Sequence, residues 1–342
     1  MHMQRVALLT ATLIVSAASG IAYAGMPPSA ELAADSQLAS PGARLPAAGS
    51  KRPTTVPEGY VITPFGYFHP SCVRTLAKGA SMLADGRVQR ADGSQQAATT
   101  CNYPHFTRSG EEVNAVAANS ASKSSNKSAA AATPEINGWL ENANYALGGS
   151  ESFGTLIARW TVPPNPKAND GQTLFFFPGL EDIYDTESIL QPVLTFFNGQ
   201  WSIAGWNCCF NNQANESQPV NVSPGDEIYG AVTSNCAEGT LTCATYSVLI
   251  LDMTTGEGSI LANTPTQGQT FNWVFGGVLE PYNIVSCEDF PRDRKLTFER
   301  IRAFDQNMRP VHPRWNDGYD SSDTPQCNYG VRIEENRVTL RY

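Results

Sequence analysis

Short strand-like segments separated by turn residues follow one another along the chain beyond residue 135. Residues 154–164 alternate strictly, which predicts one buried side carrying Leu156, Ala158, Trp160 and Val162. Later segments of the same kind read TLFFFPG, SILQPVLTFF, WSIAGWN, DEIYGAVTS, TYSVLILDM, TFNWVFGGVLEPY and KLTFERIRAFD, with NGQ, SPGD, TTGEG and TQGQ as turns. Short strands at this spacing, with no helical period, predict an all-β fold, an antiparallel β-sandwich.

Two of these strands carry a single strong polar residue on an otherwise apolar face. In SILQPVLTFF, alternation places Gln191 on the same face as Ile189, Val193 and Thr195. In FNWVFGGVLEPY, strict alternation places Glu280 with Val274, Val278 and Tyr282, and puts Phe271, Trp273, Phe275 and Leu279 on the opposite face. If both polar faces line the concave side of one sheet, an amide and a carboxyl converge there.

That pair is sufficient for the hydrolysis of an amide bond. A carboxylate accepts a proton from the attacking water and returns it to the leaving amine. A glutamine amide never ionises, so it stabilises an oxyanion and orients water at any pH. The chemistry requires no metal and no cofactor, and its substrates are polypeptides.

Other interpretations of these residues remain open at this stage. A Gln or Glu within a strand often satisfies only a neighbouring backbone group. A lectin-like sandwich would present Trp201, Trp206 and Tyr282 to a sugar, and a glycosidase would pair Glu181 with Glu280. The acidic run GLEDIYDTE resembles a calcium ligand set, but its spacing fits no standard loop and favours a solvated rim.

The first residues predict export. Residues 1–24 contain Arg5, an apolar run and a final Ala-Tyr-Ala, which together are typical of a cleaved signal peptide. We therefore expect a secreted protein that begins near Gly25 and has no membrane association after cleavage. We also expect it to be a monomer.

Residues 114–134 form an Ala/Ser/Asn/Lys linker that divides the chain. Residues 25–113 are predicted to be a small N-terminal region or propeptide, and residues 135–342 the sandwich. Residues 25–134 carry 10 basic and 7 acidic side chains, whereas residues 135–342 carry 12 and 25. The opposite net charges of the two regions predict that the first region covers the second and leaves it when carboxylates are protonated. The alternative is that the first region is a separate small domain on a flexible tether. The acidic sandwich excludes nucleic acid as a partner.

Eight cysteines in an exported chain predict disulfide bonds. Sequence proximity favours Cys72 with Cys101 and Cys236 with Cys243. Cys208 and Cys209 are then expected to pair with Cys287 and Cys327, in an order that spacing does not fix.

From about residue 137 to residue 305 the sequence resembles the eqolisins, a family of secreted acid glutamic peptidases built on a β-sandwich. The resemblance lies in ARWTVPP, FPGLED, ILQ, VSPGDEI, DMTTGEG and GGVLEPY, in that order, and in the ten-residue gap from Glu181 to Gln191. It implies that Gln191 stabilises the oxyanion, that Glu280 is general base and then general acid, and that Glu181 supports them.

The sequence departs from the family at three places. The active-site tryptophan of the eqolisins falls at Phe177, and two of their acidic residues fall near Thr195 and Gly205. Trp201 or Trp206 is a candidate to replace the lost aromatic wall. Separately, YVITPFGYFHPSCV and CNYPHF resemble the propeptide-like segment ahead of the neprosin peptidases, which implies a removable prodomain. Together these expectations define a secreted, acid-acting glutamic endopeptidase made as a precursor.

Overall fold

The computed structural model describes residues 52–98, 100–113, 139–209, 212–319, 323 and 325–342. The predicted signal peptide and the predicted linker lie outside these residues. We refer to residues 52–113 as the N-terminal segment. The described residues all fall within one compact unit, Leu38–Tyr342.

β-Strands are the main secondary structure of the described residues. The N-terminal segment contributes β1 Val61–Thr63, β2 Gly66–Phe68, β3 Val73–Leu76, β4 Ser81–Met82, β5 Val88–Gln89, β6 Gln95–Gln96, β7 His105–Phe106 and β8 Glu112–Val113. The remainder contributes β9 Glu141–Ala146, β10 Phe153–Thr161, β11 Thr173–Asp182, β12 Asp185–Phe197, β13 Gln200–Cys208, β14 Ala214–Ser217, β15 Val220–Val222, β16 Glu227–Ser234, β17 Thr245–Asp252, β18 Gly258–Pro265, β19 Trp273–Tyr282, β20 Lys295–Asp305, β21 Pro310–Val311, β22 Asn316–Tyr319, β23 Gly330–Glu334 and β24 Arg337–Arg341. Two short 3-10 helices span Pro70–Cys72 and Cys287–Asp289.

Two large sheets pack face to face. One has nine strands in the order β22-β9-β19-β11-β12-β13-β14-β3, with β15 beside β13. The other has eleven, in the order β23-β24-β20-β10-β16-β17-β18-β4-β5-β6, with β21 beside β20. Apolar side chains from both sheets, among them Leu156, Phe176, Leu194, Val248 and Leu279, form the core between them. The predicted β-sandwich is therefore confirmed.

Alternation in β10 and β12 is as the sequence predicts. Leu156, Ala158, Trp160 and Val162 all point into the core between the sheets. In β12, Leu190 and Leu194 point into that core, while Ile189 and Val193 join a second apolar cluster on the opposite face of the nine-stranded sheet. We call this opposite face, which also carries Phe175, Phe177, Trp206 and Val278, the outer face.

Alternation in β19 was predicted wrongly. Trp273 and Phe275 lie on the outer face with Val278 and Tyr282, while Val274 and Leu279 lie in the core between the sheets. The pairing of β19 with its neighbours shifts by one residue around Gly276 and Gly277, which is a β-bulge that reverses the alternation. Gly277 is closely packed there, because a Cβ atom would lie 2.5 Å from the ring of Phe298.

The N-terminal segment packs on the outer face and extends both sheets. β3 pairs with β14 and β4 pairs with β18, both in parallel, whereas the other pairings are antiparallel. β1, β2, β7 and β8 form a separate four-stranded sheet. Its apolar residues, such as Val61, Tyr67 and Phe106, belong to the same cluster as the outer face. The segment is thus a cover over that face.

Four disulfide bonds are present. Cys72 pairs with Cys101 and Cys236 with Cys243, as sequence proximity favoured. The remaining expectation was wrong, because Cys208 pairs with its neighbour Cys209, and Cys287 pairs with Cys327. The cause is topological: Cys208 ends β13 beside the cover, whereas Cys287 and Cys327 join the loop after β19 to the strand pair β23-β24.

Candidate active site

Gln191 and Glu280 share the outer face of the nine-stranded sheet. On β12, Gln191 lies between Ile189 and Val193. On β19, Glu280 lies between Val278 and Tyr282. These four neighbours all belong to the outer-face cluster. Both polar side chains are buried. The two polar faces therefore belong to one sheet, under the cover.

The strand register fixes how the two residues are placed relative to each other. β11 lies between their strands, and on it Glu280 pairs with Phe175. Gln191 lies beside Gly179, whose Cβ position would be 3.4 Å from its Cγ atom. The two residues are thus diagonal, separated by one intervening strand and four positions along it.

Regular strand geometry converts this register into a distance. Two strand spacings and four residues of rise separate the Cα atoms by about 16 Å. Each side chain reaches about 5 Å from its Cα atom, so about 6 Å is the shortest separation of their polar atoms, reached only when both side chains lean toward each other along the sheet. Two hydrogen bonds through one water span that shortest separation. The same count separates the Cα atoms of Glu181 and Glu280 by about 20 Å. Their carboxyl groups then remain at least about 10 Å apart, which exceeds the spacing of the carboxyl pair in a glycosidase.

Glu280 is held in an apolar but partly hydrogen-bonded environment. The hydroxyl of Tyr282 donates to its Oε1 atom, while Oε2 has no hydrogen-bond partner among the described residues. Burial raises the pKa of Glu280 to about 8, against the smaller opposing effects of Tyr282, the Arg108 charge and the Trp139 side chain. While covered, the carboxyl is therefore neutral at acidic and neutral pH.

Gln191 is fully buried and its amide is not engaged. Neither amide atom has a hydrogen-bond partner among the described residues, and the same holds for the indole nitrogen of Trp206. Gln191 and Trp206 are direct partners between β12 and β13. A buried amide without partners costs free energy on the order of 1–3 kcal/mol.

A cavity of about 280 Å³ lies between the cover and the outer face. Its sheet side includes Glu181, Ile189, Trp273 and Glu280. Burial, and then the neighbouring charge of Asp182, raise the pKa of Glu181 well above its ordinary value. Other groups on the cavity wall are Pro64, Phe65, His105, Thr107, Arg108, Val113, Trp139, Thr186, Ser188, Cys208 and Cys209.

The cover contributes charged groups that sequence reasoning missed. Arg108 forms an ion pair with Asp323 and its charge also acts on Glu280. His105 stacks on Phe68, with ring centroids 4.6 Å apart, and its Nδ1 atom lies 3.1 Å from Oδ1 of Asn212. Both groups lie in the segment CNYPHFTR. The available sequence signal was a histidine and an arginine close to the aromatic residues of this segment.

A different tryptophan supplies the aromatic wall next to Phe177. Trp139 meets the ring of Phe177 edge-on at 5.6 Å and that of Phe275 at 4.7 Å. Trp201, one of the two residues considered for this role, instead lies in the core between the sheets and donates to Asn165. Its burial there also removes it from the sugar-binding platform considered above. Trp139 was missed because it lies only five residues after the predicted linker, ahead of the first predicted strand.

A further buried acid on this face also escaped the sequence analysis. Glu216 on β14 pairs with Trp206 and is completely buried. The hydroxyl of Thr75, on β3 of the cover, donates to its Oε1 atom at 2.6 Å. Strand β14 is only four residues long, which is too short for alternation to indicate its faces.

The acidic run at the β11–β12 turn is structural. Asp182 accepts hydrogen bonds from the backbone of Tyr184 and Thr270, at 2.9 and 2.8 Å. No group of three or more His, Cys, Asp or Glu side chains in the described ranges is arranged to hold a metal ion. Within those ranges, no helix is long and apolar enough to span a membrane.

Comparisons with known proteins found similarity only at the level of solved structures. No family model matches the sequence, and no curated protein matches it. Scytalido-glutamic peptidase bound to a peptide-based transition state analog aligns with 60% of this chain and 98% of its own, at 14% identity and a TM-score of 0.44. SCP-B, an eqolisin in complex with the tripeptide Ala-Ile-His, aligns over the same shares at 14% identity and a TM-score of 0.43. Aspergilloglutamic peptidase from Aspergillus niger aligns with 50% of this chain and 98% of its own, at 17% identity and a TM-score of 0.34.

Proposed function

We propose that this chain is the precursor of a secreted, acid-acting glutamic endopeptidase. The observation that carries the proposal is the state of two side chains on one sheet face. The amide of Gln191 and the Oε2 atom of Glu280 are both buried and without hydrogen-bond partners among the described residues. Groups of this kind are suited to receive a substrate carbonyl and a water molecule.

The reaction follows from the ordinary chemistry of the two groups. Ionised Glu280 takes a proton from water as the water attacks the scissile carbonyl. The Gln191 amide donates a hydrogen bond to the oxyanion that develops on the carbonyl oxygen. Glu280 then returns the proton to the leaving amine, so that the cycle ends with both groups in their starting states.

The cover keeps the enzyme latent in two ways. It occupies the outer face, and its burial of Glu280 holds the pKa of that carboxyl at about 8, so that the base is protonated. Removal of the segment admits water, which lowers the pKa toward the ordinary value of a glutamate and restores the carboxylate. An acidic optimum follows, since the reference pKa of glutamate is about 4.3.

The test is cleavage of denatured casein at about pH 4, close to the reference pKa of glutamate, by the acid-treated full-length protein. We expect Gln191→Ala and Glu280→Gln to lower the rate at least about a hundredfold, the usual contribution of one such group. Matched controls are Gln200→Ala, at the exposed first residue of β13, and Glu299→Gln, at a half-exposed position on β20 of the eleven-stranded sheet, and both should cleave like the unmodified chain. Retained activity in Glu280→Gln would contradict the proposal.

Processing is tested on the same samples. Mass spectrometry before and after acidification should show loss of an N-terminal fragment that contains residues 52–113, with the Cys72–Cys101 bond intact. An unchanged mass, together with full activity, would contradict the precursor relationship.

A further inference from the structure

The tip of the β1–β2 hairpin is held rigidly against the outer face. Phe65 lies at this tip, where its backbone amide donates to Thr63 Oγ1 and the same hydroxyl donates to the carbonyl of Gly66, at 3.3 and 3.0 Å. Gly66 has φ +110°, and a Cβ atom there would collide with the carbonyl oxygen of Phe106. The tip is thus fixed by its own hydrogen bonds and backed by β7.

Two aromatic side chains of the tip contact the neighbours of both candidate catalytic groups. The ring of Phe65 packs edge-on against Trp206 at 6.0 Å, and Trp206 is the strand partner of Gln191. The ring of Tyr67 packs edge-on against Tyr282 at 5.5 Å, and Tyr282 donates to Glu280. The three residues 65–67 therefore run from the Gln191 side of the site to the Glu280 side.

The position of Phe65 has the lining of a side-chain pocket. The cavity beside it is bounded by Ile189, Trp273 and the Cys208–Cys209 disulfide, with Ser188 and Thr186 as polar groups. Aromatic side chains in such a place gain from burial and from edge-to-face contact with an indole ring. The polar groups allow a hydroxyl-bearing ring as well as a phenyl ring.

We infer that the position held by Phe65 is a selectivity subsite of the site described above, and that it accepts an aromatic side chain of the polypeptide substrate. The inference rests on the proposed function and adds the substrate class to it. The Phe65 side chain of the tip occupies the position that we assign to a substrate side chain. The backbone of the tip remains in a turn, and the Gly66 carbonyl accepts a hydrogen bond from the Thr63 hydroxyl. That carbonyl is therefore not presented as a scissile group.

Selectivity is measured with the acid-treated full-length protein and a peptide series that varies one residue at each position. We expect Phe, Tyr and Trp at one position to raise kcat/KM about tenfold or more over Ala, within the range that a hydrophobic pocket discriminates. In Trp206→Leu, kcat/KM for the Phe, Tyr and Trp peptides should fall at least severalfold more than kcat/KM for the Ala peptide. Cleavage without any aromatic preference would overturn the inference and leave the proposed function standing.

Binding is measured separately, so that the two ideas are distinguished. By calorimetry, a peptide with the sequence of residues 61–68 should bind the acid-treated chain about tenfold more tightly than the same peptide with Ala at position 65, the same range of discrimination. Phe65-dependent binding with no cleavage of any peptide would support the subsite and overturn the peptidase. Absence of both binding and cleavage would overturn both.

A third readout uses the precursor itself. Phe65→Ala in the full-length chain should shorten the lag before activity appears after acidification, because one anchor of the cover is lost. Tyr103→Ala is the matched control, since Tyr103 is an exposed aromatic residue of the same segment that stacks on His69. An equal lag in both variants would count against the anchoring role of Phe65.

Discussion

Tyr282 donates a hydrogen bond to the carboxyl of Glu280, two residues earlier on the same strand. This contact favours the ionised carboxylate, whereas burial favours the neutral acid. The two opposing effects set the pH at which Glu280 is available as a base. Both residues of this contact belong to the nine-stranded sheet, and the ring of Tyr282 also packs against Tyr67 of the cover.

Replacing Tyr282 by Phe removes this donor and should raise the pKa of Glu280. Hydrogen bonds to charged groups contribute about 1.5–3 kcal/mol, so the acid limb of the activity profile should move up by about one to two pH units. The measurement is the pH dependence of casein cleavage. Tyr229→Phe, on the other large sheet, should leave the profile in place, and a lower rate with an unshifted limb would contradict the assignment.

We expect His105 to be one of the groups of the cover that favour its release in acid. Burial lowers its pKa below the ordinary value of 6.5, more than the Asn212 hydrogen bond raises it. The covered state therefore binds fewer protons at His105 than the open state, so the contribution of His105 to its stability is complete above pH 6.5 and is lost as the pH falls below that value. His105→Gln should move the opening transition to lower pH.

The opening transition is followed by Trp fluorescence or by limited proteolysis as a function of pH. His312→Gln is the matched control, because this exposed histidine lies outside the cover. Glu280 acts in the opposite direction. Its raised pKa stabilises the covered state at low pH and weakens it as the pH rises from 4.5 toward about 8. Identical transitions in the His105 variant and the unmodified chain would show that other groups drive the opening.

The Cys72–Cys101 disulfide should stabilise the cover alone. It closes a separation of 29 residues, for which chain entropy predicts about 3–4 kcal/mol. Replacing both cysteines by Ala should make residues 52–113 sensitive to protease at neutral pH while the sandwich keeps its thermal transition. The control pair is Cys236 and Cys243, which lie between β16 and β17 of the eleven-stranded sheet. Loss of sandwich stability in the variant without Cys72 and Cys101 would show that their bond does not stabilise the cover alone.

Gly277 at the β19 bulge is expected to be intolerant of any side chain. Its Cβ position lies 2.5 Å from the ring of Phe298, so Gly277→Ala should destabilise the sandwich by about 1–3 kcal/mol, as overpacking does. The measurement is urea unfolding. Gly148→Ala is the control, because its nearest contact would be 3.8 Å. A stability equal to that of the unmodified chain would show that the bulge adjusts freely.

Local alternation predicted the sandwich and the faces of β10 and β12, because one side of each strand must be apolar to form the core. It failed in β19, where the bulge at Gly276 and Gly277 reverses the faces of Trp273 and Phe275. Periodicity cannot detect an inserted residue when both faces are apolar.

Strand pairings between segments that are distant in the sequence could not be predicted from local sequence patterns. The parallel pairing of residues 73–76 with 214–217 depends on the tertiary packing of the cover, as does the placement of Arg108 over Glu280. The bond between Cys208 and Cys209 was missed for a different reason, since adjacent cysteines were expected to have separate partners. Alternation assigned Gln191 and Glu280 each to one face of its own strand, whereas the position of both faces on one sheet became visible only in the tertiary structure.

Strands β3 and β4 of the cover hydrogen-bond to β14 and β18. A mature form without residues 52–113 would expose the backbone groups of β14 and β18 to water and to other chains. Exposed edge strands of this kind promote self-association. Residues 135–342 carry 25 acidic and 12 basic side chains. Near neutral pH this excess of negative charge repels one copy from another, and acidification weakens the repulsion. If acid releases the cover as proposed, the same fall in pH exposes these sheet edges and weakens the repulsion between copies.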